Sequence, residues 1–95
     1  MSMKITANVY KVKERRNAVV GYATITMTAD VHGLPFVFVC KHIQIIENKD
    51  GDLFLGFPTR KDAKSEDGFD DIAFPANTET RKIITAIVLA EYRSL

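Results

Sequence analysis

Ninety-five residues, 46% hydrophobic and 26% charged, give one domain over residues 1–95 with one core and exclude a two-core protein or a disordered chain. The formal net charge of +1 excludes a polycation that binds anions through its overall field, so any anion site must come from local clustering. Cys40 is the only cysteine, which rules out an intramolecular disulfide and indicates a reducing compartment.

Ile5 to Val12 alternates, with Ile5, Ala7 and Val9 on one face and Thr6, Asn8 and Tyr10 on the other. That is a strand with one buried face. Lys11, Lys13, Glu14, Arg15, Arg16 and Asn17 form a charged hairpin loop. Val19 to Ala29 alternates again: Val19, Gly21, Ala23, Ile25 and Met27 oppose Tyr22, Thr24, Thr26 and Thr28. A threonine row suits the solvated face of an antiparallel sheet. Asp30 to Pro35 makes the next turn.

Phe36 to Glu47 is a long β-prone run whose pattern slips. Phe36, Phe38 and Cys40 share a face, and strict alternation would then send Ile43 and Ile45 to the opposite one. One extra residue near Lys41 restores them, which predicts a β-bulge at Cys40 to His42. Asn48 to Asp52 is a turn around Asp50-Gly51. Leu53 to Phe57 is the fourth strand. It is apolar on both faces, with Leu53, Leu55 and Phe57 opposite Phe54. Pro58 cannot donate to a ladder, so the chain should leave the sheet there. Thr59-Arg60-Lys61 then leads into a polar loop that runs to Phe69.

Pro75 disfavours helix at Phe74. Asn77 or Thr78 can cap a helix from about Thr78 to Tyr92, and Glu79 suits its positive end. Ile83, Ile84, Ile87, Val88 and Glu91 follow the three-four spacing, with Ala86 and Ala90 allowing close approach. The predicted fold is α+β: a four-stranded, mainly antiparallel meander with one C-terminal helix packed on it. The start at Met1-Ser2-Met3-Lys4 lacks a signal-peptide core, and no run approaches roughly 18 apolar residues, so no membrane span and a cytoplasmic location are expected.

The candidate chemistry is sparse. The acidic loop Asp62, Glu66, Asp67, Asp70 and Asp71 fails the calcium-loop pattern, because Lys64 takes a ligand position and no helix precedes it. His32 and His42 lack partners at metal-ligand spacing. Asp70-Asp71 has no evident substrate pocket for acid–base work, and Asp71 reads as a backbone anchor before Pro75. Cys40 reads as a small buried hydrophobe rather than a nucleophile. No catalytic residue, metal, cofactor or small-molecule substrate is expected. Basic residues fall in three groups: Lys11-Lys13-Arg15-Arg16, Arg60-Lys61-Lys64, and Arg81-Lys82. The last two flank one excursion of the chain. Arg81 has two readings, a phosphate contact or a structural ion pair with Asp70 or Asp71; the second explains a cation at the helix end where positive charge is unfavourable.

The run Leu53-Phe54 into Phe57-Pro58-Thr59-Arg60-Lys61, then Phe69 and Asp71-Ile72-Ala73-Phe74-Pro75, resembles the stage V sporulation protein G (SpoVG) family of small bacterial regulators of septation, sporulation and gene expression. Asn77, Thr80-Arg81 and Leu89-Ala90-Glu91-Tyr92 complete the resemblance, with Ile43-Gln44-Ile45-Ile46 a looser match. Phe74, Gln44 and His42 stand where the family commonly has His, Arg and Asp. Asn48 to Asp52 replaces a shorter, Gly-rich turn. The resemblance implies a non-enzymatic, homodimeric protein that binds DNA or RNA. It places Arg60 and Lys61 on the family's basic loop, with Lys64 and Arg81 beside them as candidate contacts. The alternative is a protein-interaction module acting through a sheet edge or helix face.

Overall fold

A computed structural model of the chain describes residues 2–14, 17–61, 64, 68–71 and 73–95, with backbone alone at 60–61 and 69–71. The expected meander is present. Strands β1 (Met3–Lys11), β2 (Val19–Val31), β3 (Leu34–Glu47) and β4 (Leu53–Gly56) pair in sequence order, each antiparallel to the next. Two short strands, β5 (Thr59–Lys61) and β6 (Phe69–Asp71), form a separate antiparallel pair, and helix α1 spans Thr78–Ser94.

Local chemistry accounts for the connections. The β2–β3 turn is only His32-Gly33, shorter than the Asp30-to-Pro35 turn expected. Both residues have positive φ, 52° and 79°, the combination of a two-residue turn whose twist matches the strands it joins. Asp30 supports it by accepting a hydrogen bond from the Gly33 amide at 2.9 Å. Pro35 is therefore inside β3, opposite Asp30. Its missing N–H falls on the strand's open side, where no ladder bond is lost. Between β3 and β4, the Asn48 side chain accepts from the amides of Asp50 and Asp52.

The slip in β3 is real. Cys40 pairs with Ile25 and Ile43 with Ala23, so Lys41 and His42 together oppose Thr24. His42 takes the bulge in a left-handed conformation, φ 65°. A second shift between Val19 and Gly21 makes Val20 an extra residue in β2. That bulge turns Val20, rather than Val19, onto the core.

α1 begins at Asn77, whose side chain accepts from the Thr80 amide at 2.8 Å. Its buried face is Ile84, Val88 and Leu89, with Tyr92 packed at the edge. The expected stripe is thus rotated: Ile83 is 53% exposed, and Ala86 and Ala90 face solvent. The helix lies over β1, β2 and β4 and meets Val9, Ala23, Ile25, Ile43, Ile45 and Leu55 in the core. Val88, Ile43 and Ile45 are fully buried, each contributing about 1.5–3 kcal/mol.

The cover stops halfway along the sheet. Phe36 and Phe38 stand on the helix side of β3, in register with Ala29 and Met27, yet both are exposed, as are Leu34, Val37 and Val39. β4 pairs with Gln44 to Glu47, so among the described residues nothing pairs with the outer edge of β3 ahead of its bulge. The radius of gyration, 14.8 Å, exceeds the roughly 12–13 Å of a compact chain this long.

Candidate nucleic-acid interface

β4 ends at Gly56, and Phe57-Pro58 carries the chain out of the main sheet, as Pro58 predicts. Thr59–Lys61, ahead of the polar loop, is itself a strand. It pairs with β6, setting Thr59 opposite Asp71, Arg60 opposite Asp70 and Lys61 opposite Phe69. Strands of three residues leave no readable period, so the sequence gives no signal for this hairpin. The Ala73 amide donates to the Pro58 carbonyl at 3.4 Å, which ties the returning chain to the base of β5. Arg60 and Lys61 thus belong to a short ribbon set off from the four-stranded sheet. Lys64 is exposed in the connection between its strands.

Arg81 reaches the same region from the helix. Its guanidinium lies over the Phe57 ring, 5.1 Å from the centroid, a favourable cation–π geometry. Phe57 is itself half-buried against the core. This contact explains a cation in the first helical turn: the ring's negative face offsets the unfavourable dipole. The alternative pairing of Arg81 with Asp70 or Asp71, and the anchoring role of Asp71, involve side chains outside the described residues. Arg81 stays exposed, with one face of its guanidinium held on the ring. Arg81 is thus docked on Phe57, three residues before Arg60 in the chain. Lys82 is exposed.

The third basic group stands elsewhere. Lys11 lies over the Tyr92 ring, 5.2 Å from its centroid, near the far end of α1. Eleven residues separate Arg81 from Tyr92, roughly 16 Å along the helix. Arg15 and Arg16 fall outside the described residues. The two aromatic–cation contacts are the features that sequence reasoning missed. An arginine just after a helix cap, where its charge is disfavoured, was the available signal for one of them.

Cys40 faces an apolar hollow between the sheet and the start of α1, with Phe38, Phe57, Phe74 and Ile84. Burial pushes its thiol above the ordinary value, which suppresses thiolate and accords with a packing role. Among the described residues, no three His, Cys, Asp or Glu side chains gather into a metal-binding set. No helix is long and apolar enough to cross a membrane.

A model of the SpoVG family matches residues 3–94. Curated relatives carry the name "Putative septation protein SpoVG". The one from Phytoplasma australiense is 43% identical over 58 residues, covering 61% of this chain and 57% of the relative. The one from Clostridium acetobutylicum is 45% identical over 58 residues, covering 61% and 58%. The one from Clostridium novyi is 47% identical over 55 residues, covering 58% and 52%. The matched stretch thus spans less than two thirds of each relative's length. No solved structure matches the chain at a significant level. With nearly every residue inside the family match, the ribbon that carries Arg60 and Lys61 and the helix that carries Arg81 are parts of a protein that belongs to the SpoVG family.

Proposed function

We propose that the chain is a non-enzymatic regulator that binds nucleic acid as a homodimer, in the septation setting its relatives' name indicates. The observation that carries the reading is the placement of three cations on one ribbon, whose returning strand carries Asp70 and Asp71. Arg60 and Lys61 lie on a hairpin separated from the core sheet, with Lys64 at its turn and Arg81 held at its base. Phosphate contacts from these four residues would supply affinity, and a dimer would present each of them twice. A gel shift over a range of salt tests it. Binding to DNA or RNA that weakens steeply with salt is the expected result, and no binding at any salt rejects it.

The homodimer has its own support in the bare part of β3. An edge strand with apolar side chains on both faces is a template for pairing with another chain. Val37 and Val39 alternate with the residues that bond to β2, so their N–H and C=O groups point to the open side. Pro35 closes the outer end of that edge. Antiparallel pairing of β3 with its copy would satisfy these groups and bring Phe36 and Phe38 of both protomers together. The same edge also favours the second reading, a module that recruits a different protein by strand addition.

A further inference from the structure

The side of the sheet that α1 leaves uncovered has a composition of its own. Tyr10, Tyr22, Gln44 and Gly56 form one continuous row across all four strands, each in register with the next. Tyr10 is 60% exposed and Tyr22 45%. Directly opposed positions in an antiparallel pair lie close enough for their rings to touch. Asn8 donates to the Tyr10 hydroxyl at 3.1 Å, which steadies that ring. Gly56 ends the row without a side chain, and Phe54, also exposed, follows on the same face of β4.

Around these rings the face is polar and cationic. Thr6 and Asn8 on β1 and Thr24, Thr26 and Thr28 on β2 supply hydroxyl and amide groups. Lys4 shares that face and is exposed, as is Lys41 in the bulge opposite Thr24. The outward positions of β1 carry no carboxylate, and on β2 the first is Asp30 at the far turn. Beyond Tyr22, at the β1–β2 loop, Glu14 lines a small hollow with it. At the other end of the row, a polar hollow joins Gln44 and His42 to Phe57, Pro58 and Thr59. The row therefore opens onto the base of the ribbon, and its other end reaches the β1–β2 loop, where Lys11 and Lys13 accompany Glu14.

We propose that this face is a stacking platform for unpaired bases. The ligand is a single strand of nucleic acid that lays bases on Tyr10 and Tyr22, passes Gln44, and delivers its phosphates to Arg60 and Lys61. Two features select a single strand over a duplex. Base faces are free to stack on protein rings only when they are not stacked on one another. A flat four-stranded face also fits neither groove of a duplex, which accept a helix or a two-stranded ribbon. Amide and hydroxyl groups beside the rings can reach base edges. This inference rests on the nucleic-acid reading above and adds its ligand class and a second contact surface.

The chain has no tryptophan and three tyrosines, two of them in the row and the third, Tyr92, under Lys11. Tyrosine emission therefore reports on the platform directly. The full-length chain is titrated with oligo(dT), oligo(U) and a mixed-sequence duplex of equal length. Both single strands should quench the emission, and their relative affinities assign DNA or RNA preference. Tyr10→Ala and Tyr22→Ala should each weaken single-strand binding by about 5- to 150-fold, the range for removing one base–ring stack, with duplex binding unchanged. The Tyr10→Phe/Tyr22→Phe variant preserves the packing and guards against misfolding. It should keep its affinity for the single strands while losing the quench. Arg60→Ala with Lys61→Ala should weaken single strands and duplex alike. Single-strand affinity that withstands both alanine changes, while the Arg60/Lys61 variant loses it, overturns the platform and leaves the nucleic-acid reading standing. A wild-type chain that binds none of the three probes overturns both.

Discussion

Gly21→Ala is a test in which two ordinary expectations conflict. Replacing a strand glycine with alanine normally stabilises by about 0.4–1 kcal/mol, because the unfolded chain loses freedom. At Gly21 the added Cβ would stand 2.8 Å from the Tyr10 carbonyl oxygen and 3.4 Å from both Ile45 Cδ1 and Tyr92 Cε2. The carbonyl belongs to the neighbouring strand, so relief requires β1 to move, and the two side chains close off the other directions. Overpacking of this kind costs about 1–3 kcal/mol. The midpoints net to a loss of about 1.3 kcal/mol, or a melting temperature lower by roughly 5–10 °C for a chain this size. Gly56→Ala is the control. Its Cβ would meet Ile46 Cδ1 at 2.9 Å, equally close, but this is the free tip of a half-buried side chain that can swing away. That variant should stay within about 0.5 kcal/mol of the parent. Urea unfolding followed by circular dichroism, at one protein concentration, measures both. A Gly21→Ala variant as stable as Gly56→Ala would refute the claim that backbone, rather than proximity alone, decides the outcome.

Ile84→Ala removes a buried side chain from the helix face and should destabilise by about 2–5 kcal/mol; an unchanged melting temperature would place the helix in another rotational phase. Arg60→Ala with Lys61→Ala should keep its melting temperature and flatten the plot of log affinity against log salt by about 0.9 for each duplex phosphate no longer neutralised; an unaltered slope would move the site to Lys11 and Lys13. Val37→Lys puts a charge on the bare edge of β3, facing its own copy in a paired dimer. Light scattering should then fall from dimer to monomer mass, whereas a dimer that survives the change would place the interface on another surface.

The parts of the fold that were legible in the sequence are those where one face is buried and the other wet. The phase slip between Phe36 and Ile45 revealed the β3 bulge, because Ile43 and Ile45 had to return to the core side. The Val20 bulge was not readable: Val19 and Val20 are equally apolar, so either could have faced inward. The helix was legible in extent but not in phase, since Ile83, Ile84, Ile87, Val88 and Leu89 offer more apolar positions than one stripe needs. What selects Ile84, Val88 and Leu89 is the sheet they meet. Of the candidate site, the exit at Pro58 was legible from proline's missing donor. The β5–β6 pairing was not, because three residues cannot show a period. The Arg81 contact depends on tertiary placement of Phe57.

The bulge at Lys41-His42 has a consequence for the chain's length. Its extra residue is not needed to keep the pattern in phase once the hairpin turn has set the pairing. Deleting His42 would leave Cys40 opposite Ile25, Lys41 opposite Thr24 and Ile43 opposite Ala23, with every side chain still on its present face. The shortened strand would also shed a left-handed residue, a conformation that costs on the order of 1 kcal/mol or more outside glycine. The sheet alone would thus gain by the deletion. What it would lose is the added twist and bend that a bulge imposes on its strand, here where β4 stops pairing and beside the hollow that joins Gln44 to Thr59. His42 is therefore a residue that pairing does not require, set where the sheet gives way to the basic ribbon, and its strain shapes that junction rather than the core.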